Sequence, residues 1–182
     1  MLLGLDVSSK ATGVAFLQGA HVCAHICLKI PHDVSLQRAI AQHTALDGML
    51  KGHVPDFAVV EAYAFHGRGN ATHMLVEAGT MIRYTLVRRR VPWFEVGPSQ
   101  LKKFATGNGL AKKPDMVEAA ARLTGYEGKD HNVADAALLG LLGHVVSYLH
   151  AEEAPLVELD DRQLQVATSL IPAYVAGVVD FS

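Results

Sequence analysis

Two short apolar runs end in a carboxylate, Leu2-Leu3-Gly4-Leu5-Asp6 and Phe57-Ala58-Val59-Val60-Glu61, and a third acid, Asp135, lies among Val133, Ala134, Ala136, Ala137, Leu138 and Leu139. Acids at strand ends sit where an α/β sheet puts its functional groups. A carboxylate on an apolar helix face is costly to bury unless it is paired or coordinated. Asp130 is the better helix cap, which leaves Asp135 to be explained otherwise. Brought together, Asp6, Glu61 and Asp135 concentrate negative charge that suits a cation, and oxygen-only ligands select Mg²⁺ or Mn²⁺. This is the outline of a two-metal phosphodiester site, one ion activating water and the other stabilising the leaving oxygen. A fourth ligand is expected near the start of the last helix. At roughly 100° per residue, His131 lies about 40° from Asp135, Asn132 about 60° and Asp130 about 140°. His131 shares the face best, and Asp130 is the second choice.

The elements that must position these groups are legible from periodicity. Leu2–Asp6 and Thr12–Gln18 form a hairpin, and His21–Lys29 alternates with Val22, Ala24, Ile26 and Leu28 on one side, the pattern of a half-buried third strand. Leu36, Ala39, Ile40, His43, Leu46 and Leu50 make one helical stripe, and Met74, Leu75, Ala78, Met81, Ile82, Thr85 and Leu86 make another. Pro92–Val96 is a further strand. Pro114 opens a helix that Gly125 stops, and Asp130 opens the last strong helix, to about His150. The order predicts a mixed five-stranded α/β sheet, an antiparallel hairpin followed by parallel crossovers. Residues 1–150 are read as the functional domain and 151–182 as an acidic tail whose apolar patches suit packing on the body.

The 182 residues carry a formal net charge of −2, but the charge is unevenly spread. From Arg83 to Lys113 eight bases face one acid, a net of +7, and from Ala151 onward one base faces six acids, a net of −5. The first is a polyanion-sized patch, although a solvated face or a favoured helix C-terminus accounts for three consecutive arginines equally well. Half the residues are hydrophobic, which excludes wholesale disorder. The apolar run Ala136–Leu149, broken by His144, reads as a buried helix rather than a membrane span. Cys23 and Cys27 are expected to be reduced thiols, and the N-terminal residues lack a basic leader, so the expected location is the cytoplasm.

Taken with their order and spacing, Gly4-Leu5-Asp6-Val7-Ser8-Ser9 followed by Thr12-Gly13, Val59-Val60-Glu61, Pro92–Val96 leading to Leu101-Lys102-Lys103, Gly107-Asn108-Gly109 before Ala111-Lys112-Lys113, and Asp130–Ala136 carry a resemblance. Over about Leu2 to Gly143 the chain resembles the RuvC family of Holliday junction resolvases, especially its shorter phage-encoded members, within the RNase H-like fold. The resemblance implies a homodimer in a bacterial cytoplasm that binds four-way DNA junctions and nicks opposing strands with Mg²⁺ or Mn²⁺. It implies that Asp6, Glu61 and Asp135 are metal carboxylates and that Lys102 and Lys113 lie near the scissile phosphate. Many relatives carry an acid three or four residues before the last carboxylate. Here those positions are Asn132 and His131, which bears on metal preference and pH dependence. An aromatic wedge is implied just after Glu61, with Phe65 preferred over Tyr63. Arg68, Arg88, Arg89, Arg90, Lys102, Lys103, Lys112 and Lys113 are the expected phosphate contacts, so that affinity falls with salt. The helix of Met74–Leu86 is the implied dimer face, although core packing accounts for its stripe equally well. No membrane and no further protein partner are indicated. Two other readings share these residues: an RNase H-like nuclease for flaps, other branched DNA or RNA–DNA hybrids, and a junction-binding module without turnover.

Overall fold

The computed structural model describes residues 1–31, 33–63 and 70–179. Its sheet has five strands in the order β3-β2-β1-β4-β5. These are β1 (Leu2–Asp6), β2 (Ala11–Gln18), β3 (His21–Lys29), β4 (Phe57–Glu61) and β5 (Trp93–Val96). β1 to β3 form an antiparallel meander, while β4 pairs parallel to both β1 and β5. The two hands of pairing follow from the connections. Short turns join β1 to β2 and β2 to β3, whereas helices α1 (Ser35–Leu50) and α2 (Asn70–Arg89) carry the chain back for the parallel strands. After β5 come α3 (Pro98–Thr106), α4 (Lys113–Thr124), α5 (His131–His150), α6 (Asp161–Ser169), α7 (Ile171–Tyr174) and a π turn at Val175–Val179.

Side-chain alternation splits the sheet into two faces. Leu3, Leu5, Ala58 and Val60 join Ala78, Ile82 and Leu86 of α2 and Leu46 and Leu50 of α1 in one core. Leu2, Phe57, Val59, Phe94 and Val96 join α5 in the other. By the same parity Asp6 and Glu61, at the strand ends, fall on the α5 side. α5 is long and apolar enough to cross a bilayer by length and composition alone, but most of it is buried inside the protein, so it is a core helix.

The seating of α5 depends on glycine. A Cβ on Gly4 would stand 1.8 Å from the Ala136 carbonyl oxygen, and one on Gly13 would stand 2.0 Å from that of Asn132. On the helix itself, a Cβ on Gly140 would strike Leu17 and one on Gly143 would strike Val59. Residues 132, 136, 140 and 143 follow the helical repeat, so one stripe of α5 lies backbone-close on β1 and β2.

Four sequence expectations change. β3 is an exposed edge strand rather than a half-buried one, with Leu28 buried and Ile26 43% exposed, because no helix covers that flank as fully as α5 covers β1. On α1 the buried stripe is Ala39, Gln42, Leu46 and Leu50, while Leu36 and Ile40 face outward. The helix turns its start away from the sheet, and the Gln42 amide reaches the Ser8 carbonyl in the β1–β2 turn. α3 was not foreseen, although Pro98 at its first turn and Gly107 at φ 75° just past its end are the usual start and stop signals. Finally, the segment after Ala151 packs on the body as its apolar patches suit, but it does so as helices rather than as an unstructured tail. Val166, Ala167 and Leu170 join the α5 core, and the buried Gln163 side chain donates to the Phe104 carbonyl of α3 at 3.0 Å.

Candidate active site

Asp6 is paired across from Gly13, and Glu61 from Val96 on the opposite neighbour. Because Leu5 lies beside Val60 in parallel register, Asp6 and Glu61 are the next residues on adjacent strands and lie on one face. Asp135 comes down on them from the first turns of α5, one residue before the Ala136 carbonyl that Gly4 accommodates. The three acids therefore meet through one sheet register and one close helix approach.

Their electrostatics record the meeting. Asp6 is 7% exposed, and burial, followed by the charges of Glu61 and Asp135, pushes its carboxyl well above the ordinary carboxylate range. Glu61 is also raised, by burial, against the hydrogen bond from Asp6 and the charge of Lys102. Asp135 is raised to about 7, by burial and then by the charge of Glu61, with Lys102 and Lys113 acting in the other direction. Its Oδ1 is buried without a hydrogen-bond partner among the described residues. A buried acceptor with nothing to accept from is a strong reason to look for a missing cation.

Lys102 and Lys113 sit at the rim, from α3 and the start of α4 respectively, close enough for Lys102 to act on Glu61 and both to act on Asp135. His131 is the first residue of α5, and its Nε2 lies 2.7 Å from the Nζ of Lys113, the lysine that also acts on Asp135. Asp130 is the N-cap expected of it, accepting from the Asn132 amide, and it is also 2.7 Å from the Lys29 Nζ. The Lys29 ammonium and the capping bond hold Asp130 at about 2, against burial. Among the described residues no three His, Cys, Asp or Glu side chains converge tightly enough to make a ready-made cage.

The expected basic stretch is divided. The register of Ala58 with Trp93 puts the start of β5, and with it Arg88–Arg90, at the end of the sheet away from Glu61. At about 3.3 Å per residue those levels are roughly 10 Å apart along the strands. Arg89 grips Asp47 of α1 with two 2.7 Å bonds, so it is a strut between α1 and α2. Arg90 takes φ 54° where α2 ends, and Arg88 is exposed beside it. Lys103 and Lys112 are exposed near Lys102 and Lys113. Phe65 and Arg68 lie outside the described residues, while Tyr63 is stacked under the Arg83 guanidinium at 4.3 Å. Sequence reading missed Gly4 and Gly13 as seats for α5.

With this geometry in place, the comparisons with known proteins are specific. A RuvC of Prochlorococcus marinus (strain MIT 9313) is 30% identical over 109 residues, covering 59% of this chain and 70% of that protein. One from Brachyspira hyodysenteriae is 26% identical over 144 residues, covering 76% of this chain and 90% of that protein. For several other cyanobacterial relatives the matched stretch is roughly six tenths of their length. The solved structure of Thermus thermophilus RuvC in complex with Holliday junction substrate superposes with a TM-score of 0.67 at 21% identity, over 85% of this chain and 97% of that one. This likeness shows that the fold is the RNase H-like one of that resolvase. The family described as crossover junction endodeoxyribonuclease RuvC matches residues 2–142, and with a fold in agreement, the chain belongs to the RuvC family.

Proposed function

We propose that the chain resolves four-way DNA junctions by hydrolysing phosphodiester bonds at Asp6, Glu61 and Asp135. The observation that carries this reading is the meeting of three acids from β1, β4 and α5, pushed above their ordinary range, with lysines at the rim. The all-oxygen donor set and the orphaned Asp135 Oδ1 fit Mg²⁺ or Mn²⁺, in two ions. Asp6, Glu61 and Asp135 would hold them, joined by His131 if it turns from Lys113. When bound, the ions supply an activated water and neutralise charge on the leaving oxygen. The chain itself does the rest. Adjacent strand ends fix two carboxylates at one level, α5 closes the site from above, and Lys102 and Lys113 favour the ionised acids and attract the phosphate. The substrate class follows from the family and from the junction-bound Thermus relative. Paired nicking of opposing strands calls for two copies related by a two-fold axis. α1 and α2 leave large apolar side chains exposed, Leu36, Ile40, Val76, Tyr84 and Val87 among them, and these suit a homodimer face.

The deciding experiment compares a 5′-labelled four-way junction with linear duplex, a flap and an RNA–DNA hybrid, each in Mg²⁺, Mn²⁺ or EDTA. Metal-dependent paired nicks confined to the junction are expected. Preferred cleavage of another substrate would keep the site and replace the substrate, and junction binding without cleavage in any metal would point to a non-catalytic module.

A second outcome follows from the strut. Arg89→Ala is expected to lower the melting temperature while leaving the salt dependence of junction binding unchanged, because its guanidinium is committed to Asp47. A shallower salt dependence in that variant would return Arg89 to the DNA-contacting set.

A further inference from the structure

Lys10, Lys29 and Arg38 come from three elements, the β1–β2 turn, the end of β3 and the first turns of α1. Together with Ile30, Pro31 and Asp33 they line one cleft of about 730 Å³. Among the described residues three cations and the Asp33 carboxylate line it, and one of the cations, Lys29, is paired with Asp130. Lys10 is exposed. Lys29 keeps 65% of its side chain exposed although its Nζ is 2.7 Å from Asp130. Arg38 is held against the turn by donating to the Ser9 carbonyl at 3.1 Å. None of these groups belongs to the carboxylate site, yet the cleft opens at the same end of the sheet. Its turn begins directly after Asp6, and Lys29 is paired with Ala11 at the far end of that turn.

The sheet order gives the cleft a direction. β3 lies two strands from β1, roughly 10 Å at about 4.8 Å per strand, whereas Lys102 of α3 acts on Glu61 at the end of β4, the neighbour of β1 on its other side. Asp6 therefore has a cation-lined cleft toward β3 and a lysine acting on its neighbour toward β4. The cleft is wide and carries its charge on long side chains, which suits a continuous polyanion more than an enclosed small molecule.

We propose that this cleft receives the phosphodiester backbone of the DNA substrate on the β3 side of the scissile phosphate, an inference that rests on the nuclease reading above. Its contacts are to phosphate and carry no base readout. Lys10 is the residue to test, because it is exposed and lies outside the carboxylate cluster.

The test is fluorescence anisotropy of a labelled four-way junction in EDTA between 50 and 200 mM salt, with wild type, Lys10→Ala, Lys10→Glu and, as a control, Lys51→Ala. Lys51 is an exposed lysine at the far end of α1, about 20 Å along the helix from Arg38. One lost phosphate contact lowers the slope of log K against log[salt] by about 0.9 and weakens binding by up to about eightfold near 0.1 M salt. Lys10→Ala is expected to show that change, Lys10→Glu a larger one, and Lys51→Ala none. Wild-type slope and affinity in both Lys10 variants, with the junction still bound and cleaved, would remove the cleft and leave the nuclease reading standing. If wild type failed to bind the junction, both would fall.

Discussion

Asp135→Asn is expected to abolish cleavage, by at least about 10³-fold, and at the same time to make the metal-free protein more stable at pH 8. The acids of the site are held against their own solvation and against one another, and burial followed by the charge of Glu61 raises the Asp135 carboxyl to about 7. The folded state therefore binds more protons than the unfolded chain between about pH 4 and pH 7. Stability from this group is present below the unfolded value and is lost as the pH rises through the folded one. At about 1.4 kcal/mol per unit, the loss is at most about 4 kcal/mol. An amide avoids it, so Asp135→Asn should gain on the order of 2–4 kcal/mol over wild type in EDTA at pH 8, and little at pH 4. Thermal melts across that range, with and without Mg²⁺, check both halves. Mg²⁺ should raise the melting temperature of wild type more than that of the variant, by mass action on the folded state. Equal pH dependence in the two proteins would mean that Asp135 is not under this strain. Asp6→Asn and Glu61→Gln should also lose cleavage, since each removes charge from the same ligand set.

Gly13→Ala should be as damaging to cleavage without touching an acid. The added Cβ would stand 2.0 Å from the Asn132 carbonyl oxygen, a distance at which backbone must move. α5 would have to lift from β2 at the turn that delivers Asp135, three residues on. Overpacking of this kind costs about 1–3 kcal/mol and occasionally more, or roughly 2–12 °C of melting temperature in a chain of this size. Because a shift of about 1 Å at a reacting centre costs on the order of 10²-fold in rate, cleavage should fall by about that factor even at temperatures where the variant is fully folded. Gly4→Ala, at 1.8 Å from the Ala136 carbonyl oxygen, should behave the same way. Wild-type cleavage in a folded Gly13→Ala protein would show that Asp135 does not need this seat.

The acids were readable because strand-ending carboxylates and a carboxylate in an apolar helix each break a local rule, and such breaks gather at functional sites. The sheet was readable because period two and period 3.6 are strong signals in β1, β4 and α5. What failed depended on tertiary placement. The spacing of Leu36 and Ile40 gives a helix but not its rotation, which Gln42 settles by reaching Ser8. The alternation in β3 gives a strand but not that it lies at the edge, where Ile26 stays 43% exposed. The run of bases from Arg83 to Lys113 is contiguous in sequence but is divided between two ends of the sheet by β5. Acidic partners then claim Arg83 and Arg89.

The π turn at Val175–Val179 decides how this protein meets other copies of itself when partly unfolded or cut. The carbonyls of Pro92 and Val96 bond to β4, so that of Trp93 points away from the sheet, and Gly177 lies directly against it. Tyr174 closes over Phe57 and Phe94 at ring separations of 5.4 and 5.8 Å. A chain ending at residue 150 would uncover both an apolar groove and a strand edge, a template for aggregation. The opposite edge, β3, manages exposure differently, with a register shift at Phe16/Leu17 and polar side chains such as His21, His25 and Lys29 facing out. One border of the sheet is thus made soluble by its own residues and the other by a lid of later sequence, so proteolysis in the 151–160 connection should convert a monodisperse protein into a self-associating one.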